Sequence, residues 1–479
     1  PKPQLSDKKN NILMQSIVSL LSYFILFYIL FDQDVSYIAA ILLVIIIHEF
    51  GHFWVARRCG VKVERFSIGF GRALLTWRDK QNTEFVFALL PLGGYVKMVD
   101  EREGNVDSAD LPFSFNRKTV WQRMAIVVAG PMANFILAIA FFAIIFTGGE
   151  RGLAPVVGDV EAGSIASQSG FEPGMEILAV NGVATNTWTS VSRQLLGFIG
   201  TTGDIPFTVR YQDSNLKYDL NLPVVSWLRN EDQPVPLRDL GVSPPFELSS
   251  LTLAAVFEDG AGYRAGLQKD DQLLSINGQP ITSINRFVEK VAGSLDQSVI
   301  LQVQRGAEQL RIEVQPLVVV RDGEQVGQLG VQLASRGQYP QELIRTTEYG
   351  LLGALARGVE ETFDTSVFIV KSIGKLLVGD LSAKNLSGPI TIAKVAGDSG
   401  KSGVDNFIRF VAMFSIMLGV MNLLPVPVLD GGHLMYYIIE VIKGSPVSDR
   451  IQIMGYKVGL ALVMSLMVVA TYNDIARTF

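Results

Sequence analysis

The stretch Ile41-Leu42-Leu43-Val44-Ile45-Ile46-Ile47-His48-Glu49-Phe50-Gly51-His52 decides how this chain is read. An unbroken aliphatic run leads straight into an H-E-x-x-H motif. Histidines at i and i+4 lie on one helix face, so both imidazoles can reach a single ion. On a solvated helix such a motif recurs by chance. Inside an apolar helix the ionisable groups cost several kcal/mol unless they are paired or ligated, so an idle cluster is disfavoured there. Zinc suits two neutral imidazoles plus a carboxylate, with a fourth position left for water. Glu49, beside the first histidine, can take the proton from that water.

Working outward, the apolar residues are concentrated in runs. Ile12–Phe31, Met124–Thr147 and Phe410–Leu429 carry no charge over 20, 24 and 20 residues, and Val458–Asn473 adds 16. A helix needs about 20 apolar residues to cross the hydrocarbon core. With Val35–Ala56, which holds the motif, these make about five expected spans. Ile12–Phe31 is longer than the apolar part of a signal peptide and no A-x-A site follows it, so it is expected to be a retained span. Lys8 and Lys9, Arg57 and Arg58, Arg117, Lys118 and Arg123, and Lys443, Arg450 and Lys457 all fall on one side if the chain crosses five times. That side is cytoplasmic, which places the segment from about 148 to 405 outside.

Composition agrees. Of 479 residues 48% are hydrophobic and 18% charged, with a mean hydropathy of +0.31. A net charge of −5 argues against a generally basic nucleic-acid binder, so no nucleic acid is expected as a partner. One cysteine, Cys59, excludes an intrachain disulfide and a Cys-rich metal site.

A third metal ligand must come from elsewhere in the chain. The fourth long run ends in Asn422-Leu423-Leu424-Pro425-Val426-Pro427-Val428-Leu429-Asp430-Gly431-Gly432-His433. Pro425 and Pro427 remove backbone donors and break the helix, and non-helical backbone at this depth is tolerated where it lines a cavity. Asp430 and His433 are the two candidates. Charge and position favour Asp430, which lies near the same membrane face as His48 and His52.

Between the spans the chain contains a repeat. Gly170 and Gly266, Asn181 and Asn277, and Gly182 and Gly278 are each 96 residues apart. Each copy carries a glycine-punctuated short helix, an alternating strand and an Asn-Gly turn. The pair resembles tandem PDZ domains of the circularly permuted bacterial type, which bind peptides by adding them to a sheet edge. Leu240-Gly241-Val242 is read as the carboxylate loop of the second copy, with Gly152-Leu153-Ala154 a poorer match for the first. The alternative is a pair that acts as a steric filter.

Taken together, H-E-F-G-H-F-W-V-A-R-R-C-G-V at 48–61, S-I-G-F-G at 67–71, P-L-G-G-Y-V-K-M at 91–98, A-G-P-M-A-N-F at 129–135, L-S-G-P-I at 386–390 and N-L-L-P-V-P-V-L-D-G-G-H at 422–433 resemble the site-2 protease family of intramembrane zinc metalloproteases. The resemblance implies one zinc ion held by His48, His52 and Asp430, with Glu49 as general base. It implies that Asn422 holds the substrate backbone or stabilises the oxyanion. It puts Gly93 and Gly94 in a cytoplasmic-side β-hairpin dipping into the membrane, whose edge could pair with unwound substrate. Pro425 and Pro427 are grouped with Asn422, Gly93 and Gly94 as substrate-binding. Asn134, inside a span, is suited to bond a neighbouring helix or to line the site.

The expected architecture is therefore an α-helical polytopic membrane protein with two extracytoplasmic α+β PDZ domains. Its parts are an extra amino-terminal helix (1–34), a first catalytic core segment (35–147), PDZ domains at 148–236 and 237–340, amphipathic membrane-surface helices (341–406) and a second core segment with the L-D-G motif (407–479). The surface helices are read from Val367, Ile369, Val370, Ile373, Leu376 and Leu377. The extra helix departs from the family pattern. The implied activity is cleavage of single-span membrane proteins, such as an anti-sigma factor, and of remnant signal peptides, in regulated intramembrane proteolysis and envelope stress. The implied location is the bacterial inner membrane, with the PDZ domains periplasmic. Other partners are membrane lipids and peptide ligands of the PDZ domains. A membrane scaffold without catalysis and a zinc carrier are rival readings. The first has no use for Glu49, and for the second three histidines leave little material.

Overall fold

The computed structural model describes residues 33–478, apart from 103, 233, 296, 322 and 323. The expected span at 12–31 lies outside the described residues. The chain divides into two compact units, one made of residues up to 150 together with those from 347 onward, the other of 151–346.

The first unit is mostly helical. In chain order it contains α1 (Gln33–Arg58), strands β1 (Val63–Arg78) and β2 (Glu84–Met98), α2 (Val120–Thr147), α3 (Leu351–Val378), α4 (Pro389–Lys401), α5 (Val404–Leu423), α6 (Asp430–Lys443) and α7 (Asp449–Thr478). Among the described residues four stretches are long and apolar enough to cross a membrane: Ala40–Arg58, Val120–Thr147, Val404–Leu423 and Asp449–Arg477. They correspond to the four expected spans that fall within these residues. The chain is a multi-pass membrane protein.

Local chemistry sets the helix ends. Thr119 caps α2, accepting from the Gln122 N–H while the Gln122 side chain returns to the Thr119 N–H. The helix of the fourth apolar run stops at Leu423, before Pro425 and Pro427, which cannot supply the N–H groups that another turn requires, as their helix-breaking chemistry led one to expect. Leu43 and Val44 of α1, Phe141, Phe142 and Phe146 of α2, and Val411 and Ile416 of α5 form one core. Membrane helices must meet by close packing, since lipid is as apolar as their own side chains.

α3 buries a stripe of Ala354, Gly358, Glu361, Thr362 and Thr365. A Cβ at Gly358 would lie 2.9 Å from the Ile139 carbonyl oxygen of α2. Small residues let the two backbones touch, so the packed face is this one. The aliphatic face from which a surface helix was read leaves Val370 and Leu377 exposed.

The second unit repeats itself element by element. Short helix Ile165–Gln168 recurs at Ala261–Arg264, helix Trp188–Leu196 at Ile284–Ala292, and strand Gly203–Tyr211 at Val299–Arg305. Thr187 and Ser283 cap the longer helices in the same way. Asn181 and Asn277 both adopt φ of 50°, each followed by a glycine at positive φ, as the Asn-Gly turn requires. Each copy has its own core, around Phe207 in one and Leu301 in the other.

One sequence expectation is corrected here. Leu240 and Val242 are buried in the first core, the Glu161 N–H donates to the Gly241 carbonyl, and Val242–Ser243 pairs with Asp159–Val160. Leu240-Gly241-Val242 therefore closes the first copy instead of opening the second, and the first copy runs past residue 236. The matching segment of the second copy is Leu329-Gly330-Val331. There the Phe257 N–H donates to the Gly330 carbonyl, and Val331–Gln338 pairs with Glu247–Val256.

Candidate metal centre and active site

α1 presents His48 and His52 one turn apart, both buried, with the rings edge to face at 4.8 Å. Asp430 comes from the first turn of α6. Its Oδ2 lies 3.2 Å from His48 Nε2 and 3.3 Å from His52 Nε2, and the two Nε2 atoms are 3.2 Å apart. With zinc–ligand distances of about 2.0–2.2 Å, two corners of a tetrahedral site stand about 3.3–3.5 Å apart. The triangle thus matches three corners of a zinc site. Asp430 Oδ2 is buried without a hydrogen-bond donor, as a carboxylate awaiting a cation would be. Among the described residues this is the one group of three histidine, cysteine or acidic side chains that could hold a metal. His433, the competing candidate, is not part of it.

Close backbone approach fixes each ligand. A Cβ at Gly51 would overlap the Ala129 carbonyl, and one at Gly130 would overlap the His52 ring, so H-E-F-G-H and A-G-P-M-A-N are two sides of one helix contact. On the other side, a Cβ at Gly431 would overlap the carbonyl oxygens of Leu423 and Leu424, and one at Gly432 would overlap Pro427 and Val426. The D-G-G sequence lets the first turn of α6 fold back onto the proline loop, which aims Asp430 at α1.

The imidazoles are held from behind. His52 Nδ1 is 2.8 Å from the Ile126 carbonyl oxygen, and His48 Nδ1 is 3.2 Å from Asn134 Nδ2. Asn422, the last polar residue of α5, reaches the cluster, with Nδ2 3.5 Å from His48 Nε2. Pro425 is exposed, whereas Pro427 is wedged against Gly432 of α6 and Gly459 of α7.

β1 and β2 form an antiparallel hairpin between α1 and α2, with Ile68 opposite Gly94. A Cβ at Gly94 would lie 2.9 Å from Glu49 Cγ, so this strand runs directly past the glutamate. Gly93 has φ of 140° and packs against Phe70. Leu74, Leu75, Leu89 and Leu90 are each more than half exposed. Asp79, beyond the end of β1, pairs with Arg57 at the end of α1 and accepts from the N–H groups of Gln81 and Thr83. Partial burial pushes its carboxyl up, but the Arg57 guanidinium and the two N–H groups outweigh that and hold it below the ordinary carboxylate range.

Two features were not read from the sequence. Arg123 at the start of α2 forms a part-buried ion pair with Glu440 of α6 at 2.6 Å and lies over the Tyr437 ring, tying the Asp430 helix to α2. Arg123 drew notice only as an orientation charge, and nothing in its spacing pointed to Glu440. The other is the contact between His48 and Asn134.

His48 and His52, with Glu49 between them, lie on the apolar helix α1, and Asp430 at the start of α6 completes a His-His-Asp group that could hold a metal ion. The model for peptidase family M50 matches residues 36–466, and the chain belongs to that family, the site-2 protease family. It is a metalloprotease. It is 41% identical over 442 residues to the regulator of sigma-E protease RseP of Escherichia coli strain K12, covering 92% of this chain and 98% of that protein. A regulator of sigma E protease from Haemophilus influenzae is 37% identical over 444 residues, and a protein named "Putative zinc metalloprotease" from Vibrio cholerae serotype O1 is 38% identical over 447. Both comparisons cover 92% of this chain and 98% of the relative.

Proposed function

We propose that the chain is an intramembrane zinc endopeptidase that cleaves the membrane segments of single-span proteins, with a single ion held by His48, His52 and Asp430. The observation that carries this reading is the triangle of ligand atoms, 3.2–3.3 Å on a side, two of them on the apolar helix α1. Zinc bound there would polarise the scissile carbonyl and acidify water. Glu49 takes a proton from the attacking water as its oxygen bonds the carbonyl carbon. It delivers that proton to the amine as the C–N bond breaks. Asn422 supports the carbonyl oxygen as charge develops on it.

A peptide bond inside an intact helix is shielded by its own hydrogen bonds, so the substrate must first unwind. The edge of β2 around Gly93 and Gly94, beside Glu49, can pair with the resulting extended strand. The exposed leucines of the hairpin suit insertion into lipid. The Lys and Arg distribution supports a cytoplasmic side for the hairpin and the site and a periplasmic side for the 151–346 unit, and the likeness to the sigma-E regulators supports a bacterial inner membrane. The two copies of that unit are assigned as PDZ domains that select or filter substrates. The likeness to sigma-E regulators points to an anti-sigma factor as substrate and to envelope stress as setting, and remnant signal peptides have the same single-span chemistry.

The test uses purified full-length protein and a single-span substrate. Glu49→Gln should keep its zinc and lose cleavage, and continued cleavage would remove Glu49 as base. Asp430→Ala should lose zinc, whereas loss with His433→Ala in its place would reassign the third ligand.

A further inference from the structure

His48 turns Nε2 toward Asp430 and His52, so the hydrogen of its neutral ring belongs on Nδ1 and needs an acceptor. His52 has the same need and meets it with the Ile126 carbonyl oxygen at 2.8 Å. Among the described residues the group at His48 Nδ1 is instead the amide of Asn134, with Nδ2 at 3.2 Å. Asn134 is fully buried, and its Oδ1 has no hydrogen-bond partner among the described residues. A buried amide oxygen left unpaired is costly. A half-turn of the amide about Cβ–Cγ puts Oδ1 opposite Nδ1–H and satisfies both groups at once. The backbone beneath it is anchored, since Ser415 Oγ of α5 donates to the Asn134 carbonyl at 2.9 Å.

We propose that Asn134 is a positioning residue whose side-chain oxygen accepts from His48 Nδ1–H, fixing which nitrogen of His48 faces the metal. The inference rests on the proposed zinc site, and it gives a role to the asparagine of A-G-P-M-A-N that helix packing alone does not. A partner behind a ligating imidazole holds the ring and its tautomer, and its removal typically costs about 10–100-fold in metal affinity.

The experiment measures zinc affinity of the purified full-length protein by chelator competition, beside the unfolding temperature of the metal-free form. Asn134→Leu, which has no acceptor, should bind zinc about 10–100-fold more weakly with the metal-free unfolding temperature unchanged or raised. Asn134→Asp, which keeps an acceptor, should bind within a few-fold of the parent. Equal losses in both variants with a lowered metal-free unfolding temperature, or no loss in Asn134→Leu, would overturn the proposal. A measurement on the unsubstituted protein covers the case in which Asn134→Leu fails to fold: nitrogen-15 NMR of the zinc-loaded chain should show the proton of His48 on Nδ1, and a proton on Nε2 would overturn it. If the parent binds no zinc at all, the zinc site itself fails, an outcome distinct from either.

Discussion

The two sides of the metal centre are built on different principles. α1 supplies His48, Glu49 and His52 from one regular helix, where the 3.6-residue period alone puts both imidazoles on one face. The other side supplies Asp430 from a broken backbone. There a helix ends at Leu423, two prolines interrupt it, and the Gly431-Gly432 pair lets α6 stack back on the loop. The first arrangement survives small changes in packing because its geometry is local. The second exists only while several close backbone contacts hold together. The Asp430 side should therefore be the fragile one.

The largest effect is expected from Gly431→Ala. The added methyl overlaps two carbonyl oxygens, so the loop must shift and carry Asp430 with it. A displacement of about 1 Å costs roughly 100-fold in rate, and cleavage assays with zinc analysis should show activity and metal falling together. Full activity in this variant would break the comparison.

Stripping zinc with a chelator sharpens it. Amide hydrogen exchange should rise across residues 424–433, whose order depends on ligation, while 44–52 stay protected within α1. Equal rises on both sides would show that α1 also depends on the ion.

Gly51→Ala strikes the α1 side, where the methyl meets the Ala129 carbonyl of α2. Overpacking of this kind costs about 1–3 kcal/mol. The unfolding temperature should fall, but zinc stoichiometry in the folded protein should persist because both histidines stay on one helix.

The smallest effect concerns Asp79, which ties the hairpin to the end of α1 through Arg57. Its carboxyl is held below the usual range, so the tie is fully present above the ordinary pKa of about 4 and is lost as pH falls through the lower folded value. The pair is part-exposed and worth no more than about 1 kcal/mol. Asp79→Asn should lower the unfolding temperature slightly at neutral pH and converge with the parent in acid.

Particular residues show how far the sequence could be read. The Asn-Gly turns at 181 and 277 were legible because their φ preference is local, and so was the 96-residue repeat. Leu240-Gly241-Val242 was misassigned because sequence order put it beside the second copy, whereas its strand pairs back with Asp159–Val160. Asp430 could be favoured over His433 on charge and depth, but no spacing rule connects residue 430 to residue 48. Asn134 could be read as bonding a neighbouring helix or lining the site, but an asparagine within a span has several uses and only the ring opposite it selects one.

By itself, the amino-acid order determined the four spans among the described residues, the duplicated unit and the pairing of two imidazoles with a glutamate, because hydrophobic runs, repeats and helical periodicity act over a few residues at a time. Tertiary structure alone decided that Asp430 completes the triangle, that Gly94 lies against Glu49 and that α3 packs by its small residues. Those outcomes depend on segments tens to hundreds of residues apart meeting closely, and no local pattern encodes that.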